Sequence, residues 1–192
     1  MRHGESEWNA AGRVQGQADP GLSARGREEA RRVAPLVRAQ RPEVVVCSDL
    51  RRAADTAAIV AGAPAEPDPR WRESAMGDWT GRDVDELWAD PAGRFAAWRE
   101  GRATPPGGES WEQMCARVAA AARDLAARGA ARALVVTHGG PVRAACAELA
   151  GLHPTALVPV PNGSMTVIDL TSRRLRALGV RPASAAALRS DG

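Results

Sequence analysis

The sequence predicts an α/β fold, a three-layer sandwich in which a mostly parallel sheet carries helices on both faces. Three observations support it. "EVVVC" at 43–47 and "ALVVT" at 133–137 are short β-branched runs without polar alternation, as in strands buried on both faces. Segments with helical spacing lie next to each run. The length, 192 residues, suffices for one domain with its own core. Functional groups of such sheets gather at the carboxyl ends of the strands.

In order, Leu22 to Gln40 offers Ser23 as an N-cap and Ala30, Val33, Ala34 and Val37 at helical spacing, so an amphipathic helix is expected. Strand 43–47 follows between Pro42 and Ser48, then a helix from Leu50 to Ala61. From about 62 to 108, Pro64, Pro67, Pro69, Pro91, Pro105 and Pro106 interrupt regular structure and most of the tryptophan gathers, which predicts a cap of short helices and loops. Ser110 and Gln113 form a capping box that opens a long helix ended by Gly129. After strand 133–137, Gly139-Gly140 read as a turn with Pro141 at the first helical position. "SMTVIDL" and "RLRALGV" read as the last two strands. One domain over 1–180 is expected, with a disordered tail over 181–192, where apolar periodicity is lost.

Composition excludes several function classes. All 26 basic residues are arginine, spread along the chain, and the net charge is only +3, so no nucleic-acid partner is expected. No apolar run approaches the roughly 18 to 20 residues of a membrane span. Cys47, Cys115 and Cys146 are odd in number, lack C-x-x-C spacing and fall in apolar stretches, which fits buried thiols in a reducing cytoplasm. No clustered His/Cys spacing indicates a metal, and no cofactor is expected.

The chemistry-bearing residues stand in two glycine-rich settings. His3 lies between Arg2 and Gly4, and His138 precedes Gly139-Gly140 at the mouth of a helix. A helix N-terminus presents unpaired N–H groups, glycine admits close backbone approach, and arginine matches phosphate oxygens with a planar fork. The ligand these features suit is a phosphoryl group. Neutral imidazole is a nucleophile toward phosphorus, and neighbouring arginines favour the neutral form. A leaving alcohol needs a proton donor, for which Glu73 and Glu5 are the local candidates.

"RHGESEWN", "GRVQGQADPGLSARG", "CSDLRRAADTA", "RESAMGDWTG", "PPGGESW" and "VVTHGG", in this order, resemble the histidine phosphatases, the phosphoglycerate-mutase-like superfamily, over Arg2 to about Leu170. The resemblance implies that His3 is the nucleophile that becomes phosphohistidine, that Arg2, Arg52 and His138 bind the phosphoryl oxygens, and that Glu73 is the proton donor. It puts Asn9, Gln15 and Gly16 near phosphate and substrate and gives Gly139 a backbone N–H toward them. Arg51 matches less well than Arg52, which directly precedes the alanine. Glu5 reads as structural, and Glu109 and Ser110 either touch substrate or serve the helix start. His153 carries no expected role, and Trp71, Trp79, Trp88, Trp98 and Trp111 read mainly as cap core. Thr80 departs from the glutamate frequent in the family.

Family members differ in what removes the phosphoryl group: water in a phosphatase, a second hydroxyl in a mutase. The mutases carry a longer insertion between the proton donor and the "GES" segment, absent between Glu73 and Glu109. The expectation is a phosphomonoester hydrolase acting on a small phosphorylated metabolite. A 2,3-bisphosphoglycerate-dependent phosphoglycerate mutase is the alternative and a non-catalytic phosphate-binding relative the third reading. A homodimer is left open.

In the family an apolar strand of roughly five or six residues precedes Arg-His-Gly, whereas here only Met1 does. The first strand is therefore expected to be truncated, with a damaged sheet edge beside His3. A native start about five to ten residues upstream, with Met1 standing for an apolar residue, is the corresponding expectation.

Overall fold

In the computed structural model, which describes residues 1–157 and 159–182, the β-branched run forms β1 (Val44–Cys47) at the centre of a parallel sheet. Before it come a single turn, α1 (Glu7–Ala10), and α2 (Ala24–Ala39), the latter capped by Ser23, whose hydroxyl accepts from the Gly26 N–H. After it come α3 (Arg51–Ala61) and a two-residue strand β2 (Glu66–Pro67) that pairs with β1. The proline-rich stretch gives 3₁₀ turns and two short helices, α4 (Val84–Trp88) and α5 (Arg94–Arg99). The Ser110–Gln113 capping box opens α6 (Trp111–Ala127). Then follow β3 (Ala133–Val136), α7 (Gly139–Ala150), and an antiparallel pair, β4 (Met165–Asp169) and β5 (Arg174–Val180).

The parallel sheet has the order β2-β1-β3, with Val44 to Cys47 in register with Ala133 to Val136. Side-chain alternation along β1 feeds two cores. Cys47 points among α2 and α3 residues such as Ala30, Val33, Ala53 and Val60, while Val46 points among Trp71, Met114, Val118 and Ala144 of the α6–α7 side. Helix pairs on opposite faces make the expected three layers. The third cluster joins the tryptophan-rich stretch to Val14: Trp79 and Phe95 meet edge to face at 5.6 Å, with Val14, Met76 and Leu87 around them.

Two expectations need correction. Gly139 and Gly140 are not a turn but the first residues of α7, with His138 as N-cap, so Pro141 is the third helical residue. Its missing N–H is still one of the unpaired donors of a first turn, which is why the helix tolerates it there. Trp88 is half exposed rather than cap core. The expected tail lies, from residue 183 onward, outside the described residues.

The first strand is present as one bridge. Thr137 N–H donates to the Met1 carbonyl, His3 N–H donates to Thr137, and Arg2 N–H donates to Ser164 before β4. Beyond that bridge β3 and β4 stand apart across a cleft of about 610 Å³, lined by Met1, Leu134, Val135, Met165 and Val167. The Met1 nitrogen lies there, 2.5 Å from the Val135 carbonyl. His3 is nonetheless pinned on both sides, since its carbonyl accepts from Gly163.

The segment after His3 runs flush against α2. A Cβ on Gly4 would lie 2.3 Å from the Gly26 carbonyl oxygen, and one on Gly26 would lie 1.9 Å from the Glu5 oxygen. Both obstacles are backbone, so neither can swing away. Gly26→Ala should gain about 1 kcal/mol of helix propensity and lose more by overpacking, commonly 1–3 kcal/mol. Thermal unfolding should show a net fall in Tm, and an unchanged or raised Tm would contradict the close approach.

Candidate active site

The carboxyl ends of β1 and β3 carry Ser48 and Thr137-His138, and the loop after the Arg2–Thr137 bridge carries His3 beside them. The two imidazoles meet edge to face with centroids 5.0 Å apart, and both are buried. Their hydrogen bonds fix opposite tautomers. His3 Nδ1 lies 2.6 Å from the Gly4 carbonyl, which can only accept, so Nδ1 carries the proton and Nε2 keeps its lone pair. His138 Nδ1 accepts from Arg52 Nε at 3.2 Å, so Nε2 carries the proton and meets Ser48 Oγ at 2.9 Å.

Burial holds both histidines well below their ordinary pKa. Arg2 and Arg52 add to this at His3, and Arg52, His3 and Arg2 add to it at His138. Each is therefore neutral at pH 7. The folded value lies below the free one, so this contribution to stability is present above about 6.5 and is lost as pH falls through the folded pKa.

Arg52, on the first turn of α3, is fully buried with no carboxylate beside it. Its terminal nitrogens donate to the carbonyls of Ala18 and Gly16 at 2.7 and 2.8 Å, and burial lowers it to about 10, still charged at neutral pH. Arg2 donates to the Val160 carbonyl at 2.7 Å and has a buried Nε without a partner. Glu73 reaches from the loop after Trp71 to the mouth of α7, where the Gly140 N–H donates to its two oxygens at 3.1 and 3.3 Å. An added Cβ on Gly139 would lie 3.8 Å from Arg2 Nε and 3.9 Å from Glu73 Oε2, and one on Gly140 would lie 2.3 Å from Glu73 Oε1. Glycine at 140 lets the helix mouth and the carboxylate close on each other.

The predicted residues come together with graded closeness. Gly16 supplies a carbonyl to Arg52. Asn9 and Gln15 join through Ser6, whose hydroxyl lies 2.7 Å from Gln15 Oε1 and 3.2 Å from Asn9 Oδ1. Asn162 links Asn9 to the His3 carbonyl. Glu5 is structural as read, bonded to Ser23 and near Arg25. Arg51 is exposed, and exposed His153 bonds, among the described residues, only its neighbour Thr155. Ser110 is spent on the helix cap, and Glu109 is held by Arg117 at 2.6 and 2.8 Å rather than open to a substrate.

Sequence reasoning missed Arg117, Ser48, Thr56 and Asn162. Arg117 donates to the carbonyls of Arg70, Arg72 and Glu73, so it shapes the loop that presents Glu73. Nothing in its helix marks it. Ser48 and Thr56 lie inside "CSDLRRAADTA", where the arginines drew attention, although Thr56 Oγ1 bonds both Gly4 N–H and the Arg52 carbonyl. Asn162 sits in "PNGS", a turn by composition.

The assembly can hold a dianion among guanidinium groups, present one neutral imidazole nitrogen to it and bring up a carboxyl group. The family model of the histidine phosphatase superfamily (branch 1) matches residues 1–181. A glucosyl-3-phosphoglycerate phosphatase of Mycolicibacterium vanbaalenii is 40% identical over 175 residues, covering 85% of this chain and 77% of that protein. A probable phosphoglycerate mutase of Enterobacter sp. is 40% identical over 151 residues, covering 72% and 67%. Among solved structures, a mycobacterial glucosyl-3-phosphoglycerate phosphatase in complex with VO3 superposes with a TM-score of 0.79 at 36% identity, covering 86% of this chain and 88% of the other. Matching along almost its whole length, and carrying paired neutral histidines among buried arginines, the chain belongs to the histidine phosphatase superfamily and is an enzyme of the phosphatase kind.

Proposed function

We propose that the chain hydrolyses a small phosphomonoester through a phosphohistidine at His3. The observation that carries this reading is the pair of opposite tautomers: only His3 has a free Nε2 lone pair, and it faces a site of positive charge. Arg2 and Arg52 bind the phosphoryl oxygens, and His138, bonded to Ser48 and Arg52, stands beside them. Asn9, Gln15, Gly16 and Gly139 line the approach.

In the first half-reaction His3 Nε2 bonds to phosphorus as the bond from phosphorus to the ester oxygen breaks, and protonated Glu73 gives its proton to the departing alcohol. In the second, Glu73 takes a proton from water as the water oxygen bonds to phosphorus. The bond to His3 Nε2 breaks, and inorganic phosphate leaves with the imidazole neutral again. Placing donor and nucleophile on a preformed scaffold supplies the positional part of catalysis, and the fixed guanidinium charges supply the electrostatic part. Arg117 and the α7 N-terminus hold Glu73 between them.

Glucosyl-3-phosphoglycerate phosphatases among the relatives make phosphoglycerate derivatives the first substrates to test. The relative described as a probable phosphoglycerate mutase keeps mutase chemistry as the second reading. Incubation of 3-phosphoglycerate with and without 2,3-bisphosphoglycerate separates them. Free phosphate is expected, and rapid formation of 2-phosphoglycerate with little phosphate would favour the mutase. The remaining parts of the reading are a single domain over 1–180 with a cap over about 62–108, action in the cytoplasm without nucleic acid, and a homodimer as one possible assembly.

With p-nitrophenyl phosphate and no added metal, His3→Ala should abolish turnover, and equal rates for wild type and variant at every pH would overturn the enzyme reading. Glu73→Gln should lower kcat/KM by about 10²–10⁴ on an alkyl phosphate such as glycerol 3-phosphate. It should have much less effect on p-nitrophenyl phosphate, whose leaving group departs unaided. Equal losses on both would contradict the donor role.

A further inference from the structure

The Gly4–Glu5 peptide group stands between the nucleophile and a carboxylate that the chemistry above does not use. Its carbonyl accepts the Nδ1 proton of His3 at 2.6 Å, and its N–H, on the opposite side of the same planar unit, donates to Glu29 Oε2 at 2.9 Å. Imidazole, peptide and carboxylate form one hydrogen-bonded row. Glu29 lies on α2 three residues after Gly26, on the same helix face, so the helix that runs flush against the His3 loop also presents the carboxylate to it.

The row is held at each member. The Thr56 hydroxyl accepts from the Gly4 N–H at 3.1 Å, and the Ser23 N–H donates to the Glu5 carbonyl, so the peptides before and after Gly4–Glu5 are both fixed. Glu29 is buried, and an added Cβ on Gly163 would lie 2.8 Å from its Cβ. Gly163 is also the residue whose N–H meets the His3 carbonyl. The second Glu29 oxygen faces Arg25 Nε at 3.4 Å, but the Arg25 side chain is 70% exposed, and solvent screens its charge.

Attack changes the charge at one end of this row. When His3 Nε2 bonds phosphorus and the ester oxygen leaves, the ring keeps its Nδ1 proton and gains positive charge, in a site where Arg2 and Arg52 already disfavour that charge. A carboxylate on the N–H side of a peptide polarises its carbonyl and strengthens the hydrogen bond that the carbonyl accepts. No proton moves along the row. The negative charge of Glu29 acts on the ring through the peptide dipole and through space.

We infer that Glu29 is a positioning residue for the nucleophile: acting through the Gly4–Glu5 peptide, it fixes the His3 tautomer and stabilises the positive charge that the ring acquires as phosphohistidine forms. The inference rests on the reading of His3 as the nucleophile. It gives Glu29 and Glu73 separate tasks, one behind the attacking ring and one at the leaving group.

The test is Glu29→Gln, which keeps an oxygen for the Glu5 N–H and removes the charge. Its kcat/KM, which covers the steps up to alcohol release, should fall about tenfold. The factor should be similar on p-nitrophenyl phosphate and on glycerol 3-phosphate, because the defect lies in the nucleophile, whereas Glu73→Gln separates the two substrates. In the proton spectrum of the free variant the His3 Nδ1–H resonance should move upfield as its hydrogen bond weakens. A role confined to holding the loop predicts a lower Tm with kcat/KM and the resonance unmoved. An unchanged kcat/KM, a loss confined to glycerol 3-phosphate, or an unmoved resonance would overturn the inference. Wild-type turnover of p-nitrophenyl phosphate judges the phosphatase reading separately: no turnover, with the resonance still moved by Glu29→Gln, would sink that reading and leave the coupling of Glu29 to His3 standing.

Discussion

Positive charge buried without a counter-ion is the constraint on which the structure depends. Arg52 is out of contact with solvent and Arg2 has a buried nitrogen with no acceptor, yet neither meets a carboxylate closely. Burying unpaired charge is costly, and the fold offsets it with backbone carbonyls from Gly16, Ala18 and Val160. Those oxygens are partial charges only. They leave the site short of a full anion, which an arriving phosphoryl group supplies. Burial, with the same field added to it, disfavours imidazolium at both positions, so the histidines stay neutral.

The scaffold serves this one arrangement. Strand ends deliver Ser48 and His138 to a common rim, and the Arg2–Thr137 bridge sets His3 beside them. Glycines at 4 and 26 permit backbone approaches that a single Cβ would block, and glycine at 140 leaves room for the Glu73 carboxylate. Glu73 lies on a loop with no regular structure of its own, and Arg117 replaces the missing ladder by bonding three successive parts of it. An ion pair with Glu109, eight residues before it, holds the Arg117 guanidinium at the start of α6.

The layers and strands were legible because burial on both faces leaves unbroken β-branched runs, and because Ser23 and Ser110 announce their helices. His3, Arg2, Arg52 and His138 were legible because glycine and arginine neighbours mark an anion site. Pro141 misled, since proline is accepted anywhere in a first turn and so fixes the helix start only to within that turn. Glu109 was ambiguous for a different reason: the sequence cannot say that Arg117, eight residues on, will occupy it. Arg117 and Asn162 stayed hidden because they act through contacts across the chain, where neither periodicity nor local motif reports them.

The most direct measurement of this account is a long-range proton–nitrogen correlation spectrum of the two imidazoles in free protein at pH 6. A pair of neutral rings, His3 protonated at Nδ1 and His138 at Nε2, is predicted from their partners. Two imidazolium rings, or His3 carrying its proton at Nε2, would contradict it, because the site would then hold no nucleophile facing the charge that is meant to bind its substrate.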